Sequence, residues 1–204
     1  AVLEQTSVAF LAEFAIKQWR AAGMAAMPDV SYEIAPLPAG ILGLSQRQAG
    51  KTHILLDDDA AGHGWFVDLT PEDDVEFDIP VTDLVRRARD GQIAAGRMDL
   101  LTVVMHELGH AYGLDHDRTD TISVMSSVLE TSERRSLSPA SLAAFVPGTL
   151  ADGVFTMGAA DHPLGITNGS FDITDVDTAE FGWSHRGNIS AGTNAGMLNE
   201  DSEV

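Results

Sequence analysis

His106-Glu107-Leu108-Gly109-His110-Ala111-Tyr112-Gly113-Leu114-Asp115-His116 is the stretch that decides the reading of this 204-residue chain. On a helix, residues four apart lie one above the other on a single face, so His106 and His110 can bring two imidazole nitrogens to one ion. Glu107, one position on, is turned away from the first coordination shell toward the place of a metal-bound water, which suits a general base. Gly113 lacks a Cβ and can end the helix in a left-handed conformation, sending the chain sharply back. His116 then offers a third nitrogen from a direction the helix itself could not supply. Three protein ligands leave one tetrahedral position for water, which is the arrangement of a catalytic site rather than a structural one. Any one of these histidines alone reads more simply as a surface or hydrogen-bonded core residue. The five fixed positions together carry the metal reading.

Nine residues after His116 stands Met125, within Ser123-Val124-Met125-Ser126-Ser127. A lone methionine is ordinary core filler. With the two-histidine motif, the glycine and the third histidine before it, the pattern resembles that of the metzincin metallopeptidases, whose signature ends in a methionine-containing turn. Within that clan Gly109 to Asp117 is most similar to the matrixins. Gly64-Trp65-Phe66-Val67-Asp68-Leu69-Thr70-Pro71, followed by Glu76-Phe77, resembles a segment of bacterial matrixin-like proteins that precedes the active-site helix. Leu137-Ser138-Pro139-Ala140-Ser141-Leu142 resembles the entry to their closing helix, with Ser138 as N-cap and Pro139 at the first helical position.

The resemblance covers residues 1–147 and implies an α+β, zincin-like catalytic domain: a twisted, mostly parallel sheet with an active-site helix and flanking helices. It implies Zn2+ held by His106, His110 and His116, Glu107 as general base and then acid in peptide hydrolysis through a zinc-bound water, and Met125 in a Met-turn beneath the ion. Astacins and serralysins carry a tyrosine two residues after the turn methionine as an extra ligand. Matrixins usually carry a proline there that helps wall the S1′ pocket. This chain has Ser127, so no extra ligand is expected and the pocket departs from the family's pattern. An extended substrate is expected to add as a strand along the sheet edge, with Gly64, Trp65, Phe66 and Val67 as the candidate edge and the residues from Met125 to Arg135 bordering S1′. The matrixin structural zinc, bound by histidines and an aspartate, is not reproduced by the spacing of His53 and His63, which read as ordinary surface or turn residues.

Composition agrees. Thirty-one acidic against twelve basic residues give a net charge of −19, which argues against nucleic acid and anionic membranes as partners. No apolar run is long enough for a membrane span. Acidity of this kind serves solubility, or it holds Ca2+ at Asp57-Asp58-Asp59 or Glu72-Asp73-Asp74, although neither has the spacing of an EF-hand loop. There is no cysteine, so no disulfide braces the fold and the matrixin cysteine switch is missing; latency is expected to rest on another segment or mechanism. The first residues lack the basic start and apolar stretch of a signal peptide. Secretion, to the cell surface or beyond, is expected from the family alone.

Along the chain, helical spacing of apolar residues predicts a helix over Thr6 to Ala22, and alternation predicts strands over Val30–Ile34, His53–Leu56 and Trp65–Val67. A short helix is predicted from Thr82 to Arg89, closed by Gly91. Asp99 caps the main helix, whose Leu100, Leu101, Val103, Val104, Met105 and Leu108 bury it while the histidines face a cleft. After Pro147-Gly148, turn formers dominate and Phe171, Ile173, Val176, Phe181, Trp183 and Ile189 fall in short patches. Residues 148–204 read as a linker with a short β-rich appendage, or as a disordered tail, in a monomer that continues into further modules. The functional expectation is a zinc endopeptidase acting on proteins or peptides. The alternative is an adhesion or interaction module that keeps the metal-binding fold without turnover; an intact Glu107 favours the enzyme.

Overall fold

The computed structural model describes residues 3–24, 29–117, 120, 122–137, 142 and 153–161. Ser138 to Ser141, where the closing helix was expected to begin, and the apolar patches from Phe171 to Ile189 lie outside them.

Helix α1, Gln5–Ala21, follows the predicted periodicity: Val8, Leu11, Ala12, Ala15 and Trp19 form its buried face. Strands β1 (Asp29–Ala35), β2 (Ile41–Gln48), β3 (Lys51–Asp57), β8 (Val128–Leu129) and β10 (Gly153–Ala159) make a five-stranded sheet in the order β1-β3-β2-β10-β8. The expectation of a mostly parallel sheet is corrected here. β1–β3 and β10–β8 are parallel, but β2–β3 and β2–β10 are antiparallel. The cause is local: Ala49 and Gly50, with φ of 50° and 80°, close β2 and β3 into a hairpin whose two-residue turn needs positive φ at both positions. An antiparallel pair follows directly from so short a connection.

Two small sheets lie apart from this one. β4 (Trp65–Phe66) pairs in parallel with β7 (Met98–Asp99), and β5 (Ile79–Pro80), β6 (Val85–Arg87) and β9 (Glu133–Arg135) form an antiparallel set. The helix predicted over Thr82 to Arg89 is absent. Thr82 Oγ1 accepts the N–H groups of Leu84 and Val85, and Val85 O accepts those of Val81 and Thr82, so a side-chain-stabilised turn takes the donors a helix would need. Val85 then pairs with Arg135.

Helix α2, Leu100–Ala111, is buried along its whole length. Asp99 caps it as predicted, its Oδ2 accepting from Thr102 N at 3.2 Å. The helix is locked to α1 by the Trp19 indole, which donates to Met105 O at 3.0 Å and tilts against Tyr112. No helix among the described residues is long and apolar enough to cross a membrane. The strand β10 lies beyond residue 147, where the appendage was expected to have begun, yet it is part of the main sheet.

Candidate metal centre and substrate groove

α2 carries His106 and His110 on one face, and the chain then turns back as the sequence requires. Gly113 has φ of 92°; its N–H donates to His110 O and the N–H of Leu114 to Gly109 O, at 2.9 and 3.0 Å. This pair of bonds is the Schellman end of a helix, with glycine at its left-handed position. It delivers His116 to the other two. One ring nitrogen from each histidine lies within 4.8 Å of the others.

Hydrogen bonds on the far side of two rings orient them. His106 Nδ1 donates to Val124 O and His110 Nδ1 to Leu114 O, each at 2.8 Å. With the protons held there, both Nε2 atoms present lone pairs, and they face each other at 2.9 Å. Two lone pairs at that distance, buried away from water, repel unless a cation lies between them. Tetrahedral zinc with Zn–N bonds of about 2.0–2.1 Å sets neighbouring nitrogens about 3.3 Å apart, so the set fits zinc with small side-chain adjustments. Burial first, and then the neighbouring histidines, hold His106 and His110 below the ordinary histidine range, His110 at about 3. Neutral imidazole is the ligand form.

Met125 is fully buried in the turn behind the histidines. A Cβ added at Gly109 would run into its sulfur and lie 3.1 Å from Trp19 Cζ2, so the glycine between the two helical histidines is where Met125 packs. Asp117 N donates to Met125 O at 2.9 Å, tying that turn to the loop of the third histidine.

Glu107 is completely buried, and neither carboxylate oxygen accepts a hydrogen bond within the described structure. Burial pushes its carboxyl up to about 8, against the opposing effects of the Ser45 hydroxyl and the Met157 amide. Ser45 Oγ donates to the Glu107 backbone carbonyl at 3.1 Å. Gly43, on β2, provides the space: a Cβ there would stand 2.7 Å from Glu107 Oε1. Neither Gly43 nor Ser45 was singled out from the sequence. The available signal was a glycine inside an apolar strand run, which marks close approach of another group to the backbone.

The other candidates divide. Ser127 is at the groove, its carbonyl accepting from Gly158 N at 2.9 Å. Within the candidate stretch Gly64, Trp65, Phe66 and Val67, Trp65 and Phe66 are buried in the two-stranded sheet with Met98 and Asp99, and the Trp65 indole donates to Asp57 O. The strand alongside α2 and Glu107 is β2. Residues Glu133 to Arg135, expected near S1′, are buried, in contact with α2. Arg134 holds Asp99 through two hydrogen bonds of 2.9 and 3.1 Å and Asp68 through one of 2.6 Å, with its guanidinium 4.4 Å from the Phe77 ring centre. Arg135 Nη1 donates to Ser123 O, linking this strand to the Met-turn.

His53 bonds Ser31 and Glu33 at an exposed site, and His63 pairs with Asp161. Asp57, Asp58 and Asp59 bring one carboxylate oxygen each within 4.8 Å of one another, but Asp57 accepts from the N–H groups of Leu37 and Ala61. In the other acidic cluster Asp74 faces Arg86 and Arg134.

Comparison with known families gives a match to the matrixins over residues 38–142, 105 of the 204 positions and the span that contains β2, the three histidines and the Met-turn. The chain belongs to the matrixin family. Comparisons with curated proteins and with solved structures gave no match. Membership points to a zinc-dependent peptidase acting on proteins or peptides, in keeping with the histidine cluster that this matrixin builds.

Proposed function

We propose that this matrixin is a zinc endopeptidase in which Glu107 is the general base and acid, and β2 is the strand along which an extended substrate lies. The observation that carries the reading is a fully buried carboxylate with no hydrogen-bond partner, placed beside three converging imidazoles. A charged group so placed is costly to bury without a task. Zinc held by His106, His110 and His116 supplies polarisation of a peptide carbonyl and acidifies water at neutral pH. Glu107 takes a proton from the attacking water and returns it to the departing amine nitrogen. The backbone of β2 aligns the substrate by main-chain hydrogen bonds, Gly43 leaves Glu107 room to reach it, and Ser127 and Leu129 bound the far side. Secretion and a monomeric state, as in the resembling family, complete the proposal; calcium at the acidic clusters is not included in it.

The test is casein hydrolysis by the zinc-loaded chain, with and without chelator, beside Glu107→Gln. General acid–base groups contribute roughly 10²- to 10⁴-fold, and the variant is expected to lose that much while still binding one zinc. Equal activity of the variant would refute the role of Glu107. Zinc binding with no hydrolysis of any peptide would support the interaction module instead.

A further inference from the structure

The groove just described is filled by the chain's own strand β10. β10 runs antiparallel to β2, with Phe155 opposite Ser45, Thr156 opposite Leu44 and Met157 opposite Gly43. On its other side it is parallel to β8, with Gly158 opposite Val128 and Ala159 opposite Leu129. Gly158 N donates to Ser127 O and Ala160 N to Leu129 O, each at 2.9 Å.

One peptide bond of this strand meets both halves of the site. The carbonyl oxygen of Thr156 stands 3.0 Å from His116 Nε2. Met157, on the other side of the same bond, pairs with Gly43, the residue whose missing Cβ makes room for the Glu107 carboxylate. Flanking side chains are seated too. Phe155 stacks on the His110 ring at 4.5 Å between centres and 16° between planes, and Met157 is completely buried in the main core. The strand lies outside residues 38–142, the span matched to the family.

We infer that β10 is this enzyme's own first substrate and that the Thr156–Met157 bond is a self-processing site, cut in cis. The inference rests on the peptidase reading above. Water supplies the oxygen: a C–O bond forms at the Thr156 carbonyl carbon and the C–N bond to Met157 breaks. Thr156 then ends in a carboxylate, and Met157 becomes a new amino terminus that takes its proton from Glu107. Until the bond is cut, the strand keeps other peptides out of the groove. A protein without cysteine thereby gains latency from its own backbone.

The full chain, purified without metal, is to be given zinc and followed by intact mass and amino-terminal sequencing. The expected result is a new amino terminus at Met157, appearing at a rate independent of protein concentration and slowed at least about 100-fold in Glu107→Gln. Met157→Asp puts a charge into the apolar seat and is expected to slow it at least about tenfold. A readout that needs no catalysis comes from hydrogen exchange on metal-free Glu107→Gln: the Met157, Gly158 and Ala159 amides are expected to exchange at least about 100-fold more slowly than in an unstructured peptide of the same sequence. Casein hydrolysis with the Thr156–Met157 bond intact would overturn the inference and leave the peptidase reading standing. Failure to cut both casein and this bond would overturn both. Unprotected amides in β10, or a cut rate proportional to protein concentration, would overturn the inference alone.

Discussion

Replacing Arg134 by methionine tests whether the active-site helix is held in place by buried charge. Arg134 is 3% exposed, and its partners Asp99 and Asp68 are 0% and 1% exposed. Burial alone would lower the basicity of the guanidinium, but the charge of Asp99 and the bonds to Asp99 and Asp68 carry it above the ordinary arginine value. Arg134→Met keeps most of the side chain's volume and removes the charge, so it leaves two buried carboxylates without a cation. Breaking a buried ion pair on one side costs about 3–5 kcal/mol, a large share of the roughly 5–15 kcal/mol that holds a domain together. With a urea dependence of about 2 kcal/mol per molar, the unfolding midpoint should fall by about 2 M, measured in chelator so that metal binding does not contribute. Lys51→Met is the control, because its pair with Asp29 is 79% and 68% exposed and is worth at most about 1 kcal/mol. A loss below about 1 kcal/mol in Arg134→Met would refute the argument that this arginine secures the capped end of α2.

Gly43→Ala should lower casein hydrolysis at least about fivefold without changing zinc content, since overpacking that costs about 1–3 kcal/mol falls on the Glu107 carboxylate; unchanged turnover would show that the carboxylate has room to move. Trp19→Phe removes the bond to Met105 O and part of the packing between α1 and α2, and should cost about 1–3 kcal/mol by urea denaturation. Stripping the metal should lower stability by about 2.7 kcal/mol relative to zinc at 100 times its dissociation constant. Identical melting curves with zinc and with chelator would mean that the three histidines hold no ion.

The parts of the fold legible in the sequence were those fixed by local chemistry. The apolar period of α1, the Asp99 cap, the Gly113 turn and the spacing of His106, His110 and His116 each specify their structure within a few residues, and the structure shows each of them. The groove was not legible in this way. β2 is buried along most of its length because strands flank it on both sides, so the alternation that marks a half-exposed strand is missing, and its hairpin turn uses an alanine at positive φ. Gly64 to Val67 is the expected edge by family resemblance alone; the partners of Trp65 and Phe66 at Met98 and Asp99 arise only in three dimensions. β10 was hidden for the same reason. Its seat is made by Ser45, Gly43 and Ser127, which stand 110, 114 and 31 positions from their partners Phe155, Met157 and Gly158, and no local pattern reports such pairing.

With β10 in place, the main-chain donors and acceptors of β2 are satisfied on both flanks. Were that strand to leave, β2 would become a bare, largely apolar margin, the kind of surface on which molecules of the same protein join edge to edge into insoluble aggregates. The charge of −19 then takes on a further meaning, since mutual repulsion among like-charged copies would keep an opened groove available to dilute peptides rather than to its neighbours.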